Sequence, residues 1–273
     1  MSTAVEIADA RADRLGHQLY AGRARAILER SFIALRSSTW VPIATGFIEP
    51  VLYLLAFGYG MGELIGNVDT GRGVVDYAVF IAPGLLATSA MNGAIYDSTW
   101  NVFFKLNESK LYQGMLATPL GPLDVALGEI TWALLRGLSY AIAFMAITAP
   151  LGLVPGVSAI LAIPAAVFIA FGFASFGMAV TSYMKSFQQL EIVNVVLLPM
   201  FLFSGSFYPL DVFPEWLQTV IRIFPLAHAI DLVRGLTLGN ISWALAGHAM
   251  YFVVMIVIGL FFTTRRLNAL FMR

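Results

Sequence analysis

From Gly137 to Met184 the chain runs for 48 residues without an Asp, Glu, Lys or Arg. A soluble domain carries about 25% charged residues. This chain carries 12%, against 59% hydrophobic residues, so lipid must face much of its surface. At about 1.5 Å per residue the uncharged run would reach roughly 72 Å as one helix, more than twice the ~30 Å of bilayer hydrocarbon. Pro150, Gly152, Pro155 and Gly156 place a turn inside it. The run therefore holds the end of one span and the whole of the next.

The same length criterion predicts the other spans. Trp40 to Gly62 is the first, interrupted by Glu49, and Tyr77 to Tyr96 the second. Spans three and four share the long run. Glu191 to Phe207 is the fifth and Ile241 to Thr264 the sixth. The fold class expected is an all-α integral membrane protein of six transmembrane helices. Residues 1–39 form a cytoplasmic segment, 40–264 the membrane domain and 265–273 a tail. Lys and Arg set the orientation. Arg11, Arg14, Arg23, Arg25, Arg30, Arg36, Lys105, Lys110, Lys185, Arg265, Arg266 and Arg273 fall on the side of the termini. Arg72, Arg222 and Arg234 fall on the other, so both termini are expected in the cytoplasm. The first 30 residues lack the apolar core of a cleavable signal peptide.

Four stretches carry candidate function. Arg23 to Ser38 places Ile27, Leu28, Phe32, Ile33 and Leu35 mostly on one face, as in a helix lying in the membrane interface. Glu49 and Arg136 fall inside spans at similar depth. Intramembrane charges are functional candidates by default, with a structural Glu49–Arg136 pair as the plainer reading. The cytoplasmic loop 98–122 sets Leu111, Tyr112 and Met115 as an apolar face among Lys105, Glu108 and Lys110, a pattern suited to docking in a partner's groove. The alternative is packing on its own bundle. Finally, FSGSFYPLDVFPEWLQ, from Phe203, breaks the apolar pattern with Gly205, Pro209, Asp211, Pro214 and Glu215. About ten residues separate Pro214 from Pro225, half a span. Residues 205–235 are thus expected to form re-entrant half-helices before the last span, with Trp216 at the interface and Arg234 near the end, closing an outer gate.

Other chemistry has no foothold in the pattern. GxxxxGK[ST] is absent, so no phosphate-cradling loop is present. There is no cysteine, and His17, His228 and His248 lack metal-ligand spacing. No catalytic residue, cofactor, metal or nucleic-acid partner is expected. A secondary transporter would show inverted repeats and several deep acidic residues; a scaffold without cargo is the third class.

FLFSGSFYPLDVFPEWLQTVIRIFPLAHAIDLVRGLTLG, with IEPVLYLLAFGYGMG and KLYQGMLATPLGPLDVALGEI, resembles the type-2 ABC exporter permeases, nearest the nodulation-factor (lipo-oligosaccharide) and daunorubicin-type branch. The resemblance covers roughly residues 30–262. It implies the transmembrane half of an ATP-driven exporter in a bacterial plasma membrane, paired with a second copy or a related permease. ATP and Mg would be bound by separate ABC ATPase subunits, contacted through the loop after span two. The cargo implied is a lipid-linked, glycolipid or amphipathic drug-like molecule.

Overall fold

The computed structural model describes residues 23–36, 48, 50–70, 73–154 and 157–271. Trp40, Glu49 and Arg72 lie outside them, as does most of the first half of span one.

Helix α1 (Ala24–Arg36) precedes a shorter apolar helix, α2 (Pro50–Ile65), and a two-stranded hairpin, β1 (Asn67–Asp69) antiparallel to β2 (Val74–Asp76). Then come α3 (Tyr77–Tyr96), the short α4 (Leu111–Leu116), α5 (Pro122–Thr148), α6 (Ala162–Thr181), α7 (Gln188–Phe203), the pair α8 (Glu215–Ile221) and α9 (Pro225–Thr237), and α10 (Trp243–Phe271). Among the described residues four helices are long and apolar enough to cross a membrane: α3 with its continuation, α5, α6 and α10. α2 and α7 are apolar but shorter.

Local chemistry explains the boundaries. The Asp76 carboxylate accepts the Ala78 N–H at 2.8 Å and caps α3. Pro122 opens α5, where a missing N–H costs nothing. Asp124 there accepts the N–H of Gly121 at 3.0 Å and that of Arg23 at 2.8 Å, so one buried carboxylate ties the start of α1 to the start of α5. The expected second span matches α3, but the helical path does not stop at Tyr96. It continues through π-helical turns to Glu108. The predicted loop 98–122 is corrected accordingly: Lys105 and Glu108 ride on a helix.

α3 and α6 form the centre, with α5, α9 and α10 packed around them. Small residues permit the closest approaches. A Cβ on Gly259 of α10 would sit 2.5 Å from the Ser175 carbonyl carbon of α6. Ala170, Ala174 and Ala179 of α6 are all buried. α7 stands apart, with only Leu190 and Met200 buried. α1 lies along α5: Ile27 fills the space above Gly128, and Phe32 meets Trp132 edge-on at 5.2 Å. Ile27 is thus buried on its own bundle, while Phe32 and Ile33 stay exposed at 52% and 71%.

Candidate functional site

Lys105, Lys110, Lys185 and Arg266 gather at one end of the bundle, where α3 finishes and α5 begins; the α8–α9 pair closes the other end. A groove runs between the two ends.

At the basic end the π-helical turns aim charged side chains inward, a deviation that often marks functional segments. Lys105 Nζ pairs with Glu129 of α5 at 2.5 Å, the carboxylate being 4% exposed. Arg136, one helical stretch deeper, pairs with Asp97 at 3.0 Å, side chains 15% and 3% exposed. Asn101 donates to the same carboxylate. The expected partner of Arg136, Glu49, lies outside the described residues; Asp97 takes that place among those described. Lys110, just before α4, makes the sharp turn with a φ of 49°. Tyr112 and Met115 of α4 are buried, at 0% and 8%. This corrects their expected role as anchors for a partner. They pack on their own bundle, because Tyr112 meets Glu129 and Arg30 there, and burial reinforced by the Glu129 carboxylate holds its hydroxyl well above the ordinary phenol range. The face left outward is Glu108, Ser109, Lys110, Gln113 and Gly114, with Leu111 half-buried. Asp97 and Glu129 are the residues that sequence reasoning missed. The signal was available: both are acidic residues beside apolar helical faces, with bases at matching depth.

At the other end the chain leaves α7 through Gly205, whose φ of +79° falls in the left-handed region glycine favours. Arg234 Nη2 donates to the Gly205 carbonyl at 2.9 Å and, more weakly, to that of Phe80 at 3.4 Å. Its guanidinium lies 4.1 Å from the Phe80 ring centre, so one side chain pins α9 to α3. Pro209 opens a 3₁₀ turn holding Asp211, Pro214 starts α8, and Pro225 starts α9. Glu215 stands in the first turn of α8, where the positive end of the helix favours it. α8 and α9 meet at 87°. Trp216 is 69% exposed. Two short helices broken at the prolines thus occupy the stretch expected to form re-entrant half-helices.

Between the ends lies a groove of about 750 Å³, walled by α6, α7 and α10. It extends from Thr99 and Met184 near the basic end to Phe224, Pro225 and His228 under α9. The wall is almost wholly apolar, and its volume falls within the range of ligand pockets. A polar vestibule of about 490 Å³ opens beyond α9, lined by Asp69, Asp211, Arg222, Asp231, Arg234 and His248 among others.

Apolar helices of membrane-crossing length around an apolar groove define a multi-pass membrane protein of the transporter class. The chain belongs to the ABC-2 type transporter family, whose match spans residues 23–238. It is 31% identical over 249 residues to "Nodulation protein J" of Rhizobium leguminosarum bv. trifolii, covering 91% of this chain and 94% of that one. The protein of the same name in Neorhizobium galegae is 30% identical, over 89% and 93% of the two chains. A "Probable multidrug ABC transporter permease" of Escherichia coli (strain K12) is 26% identical over 65% of this chain and 48% of its own length.

Proposed function

We propose that this chain is the membrane-spanning permease subunit of an ATP-driven exporter that moves an amphipathic, lipid-like molecule out across the bacterial plasma membrane. The observation that carries the reading is the groove. An apolar path running from the basic end of the bundle to the underside of α9 suits a hydrocarbon chain, and it suits neither an ion nor a sugar alone. Family membership supports the energy source proposed, ATP hydrolysis on a separate ABC ATPase subunit. In this reading α2 and α7 complete six spans, the basic end faces the cytoplasm with both termini, and a second copy or related permease completes the pathway. The under-packed α7 supports such pairing, since apolar side chains such as Val195 and Leu198 stand 70% and 61% exposed.

The exposed turn Glu108–Gly114 is the segment on which the ATPase would bear. A push there reaches Tyr112, then Glu129 and Lys105, and so the joint between α3 and α5. Asp97–Arg136 extends the same chain of charges deeper into the bundle. Arg234 and the prolines hold the half-helices that would close the exit. Affinity purification of the tagged chain from its own membranes tests the proposal. A co-eluting ATPase subunit with a stoichiometrically bound amphiphile is expected. A chain that elutes without any ATPase at native expression levels would contradict it.

A further inference from the structure

Sequence spacing gave the histidines no shared role, but the fold brings two of them together. His228 of α9 and His248 of α10, twenty positions apart, place their Nδ1 atoms 2.8 Å apart. The His228 ring stacks on Tyr251 with centroids 4.2 Å apart, and the Tyr251 hydroxyl donates to the Ile223 carbonyl at 3.0 Å. On its far side the His248 Nε2 lies 4.0 Å from an Asp231 carboxylate oxygen. His228 lines the apolar groove and His248 lines the polar vestibule. The contact between the two rings is thus part of the partition separating these spaces, and it joins the half-helix α9 to the last span.

Two Nδ1 atoms at hydrogen-bond distance require one donor and one acceptor. A neutral pair meets this condition, and so does a pair carrying one proton, since the charged ring donates to the neutral one. Asp231 stands beside His248 to balance that single charge. A doubly protonated pair cannot meet it: both Nδ1 atoms become donors and two cations face each other at contact distance. The other charged groups around the junction are Asp69 and Asp211 against Arg222 and Arg234, all lining the vestibule; Tyr251 is the remaining titratable neighbour.

We infer that His228 and His248 form a proton-operated latch, closed while the pair holds at most one proton and released when it takes a second. The latch opens as the pH falls, because the open form accepts the second proton freely and the closed form does not. Each further pH unit shifts the balance by up to about tenfold toward release. The release frees α9 from α10 and joins the groove to the vestibule. The inference stands apart from the transport reading, since its test needs the chain alone.

The full chain in lipid nanodiscs, labelled with ¹⁵N-histidine, has three histidines to resolve, and His17→Gln removes the third. His228 and His248 should titrate as a coupled pair, in two steps more than about one pH unit apart. His248→Asn keeps a hydrogen-bonding atom near the Nδ1 position and cannot be protonated. In that variant His228 should titrate in a single step, and amide exchange over residues 225–237, corrected for the intrinsic pH effect, should stay flat from pH 7.5 to 5. In the unmodified chain it should rise about tenfold or more. His228→Asn provides the same comparison if His248→Asn fails to fold. Independent single-step titrations in the unmodified chain overturn the inference. So does an exchange rise that survives in the Asn variant, or coupled titration without any exchange rise.

Discussion

Removing the Arg136 guanidinium leaves the Asp97 carboxylate, 3% exposed, with the Asn101 amide as its remaining hydrogen-bond partner among the described residues. At 3.0 Å the pair's attraction is at most about 5–6 kcal/mol with an effective dielectric near 20. The orphaned carboxylate has an escape, which is to take up a proton. That uptake caps the loss, at about the 3–5 kcal/mol seen when one partner of a buried pair is removed. Arg136→Gln should therefore lower the thermal midpoint of the detergent-solubilised protein by roughly 10 °C, read by size-exclusion fluorescence after heating. The deficit should shrink by up to about 1.4 kcal/mol for each pH unit of acidification, since protonation becomes cheaper. Adding Asp97→Asn removes the stranded charge and should recover most of the midpoint. A double variant as unstable as the sum of the two singles, or a pH-independent deficit, would refute the reasoning.

Tyr112→Ala should reduce the yield of folded protein, with a loss of about 3–5 kcal/mol for so large a buried side chain, because this residue packs inward. By contrast Gln113→Arg or Gly114→Trp, on the outward face of α4, should weaken ATPase co-purification while leaving the thermal midpoint within about 1–2 °C; the reverse pattern would reinstate Tyr112 as the docking anchor. Gly259→Ala forces a methyl against the α6 backbone and should destabilise by about 1–3 kcal/mol, visible as a drop in midpoint that Gly247→Ala, in open space, does not share. A cysteine at Trp216 should react with an impermeant thiol reagent added outside intact cells, at a rate that changes when the ATPase is trapped with ATP. Labelling there only after permeabilisation would invert the proposed orientation.

Residue types and spacing located the start of α3, since Asp76 precedes an unbroken apolar run, but not its continuation, because the helical path runs on past Asp97 to Glu108. The half-helices were equally legible, because proline and glycine act locally on the backbone. What spacing does not carry is the identity of a neighbour. The apolar face of α4 was visible, but not that Glu129 and Arg30 wait on the inner side to receive Tyr112. Lys105 and Glu108 looked like loop residues because charge usually means water; here Lys105 folds back onto Glu129 and keeps the helix going. Arg136 was legible as a buried cation, and its partner was sought by depth within the spans, whereas Asp97 falls just past the predicted end of span two. The histidine pair depends wholly on the packing of α9 against α10, which no local pattern reports.

The central claim is ATP-driven movement of an amphiphile by a complex that includes this chain. Inside-out vesicles from cells expressing the chain and its co-purifying ATPase, loaded in the outer leaflet with a fluorescent lipid analogue, test it most directly. Added ATP should move the analogue to the protected inner leaflet. The movement should be abolished by a hydrolysis-deficient ATPase and unaffected by an ionophore that collapses ion gradients. Movement that needs the gradient and proceeds without ATP would contradict the account and place the chain among secondary transporters.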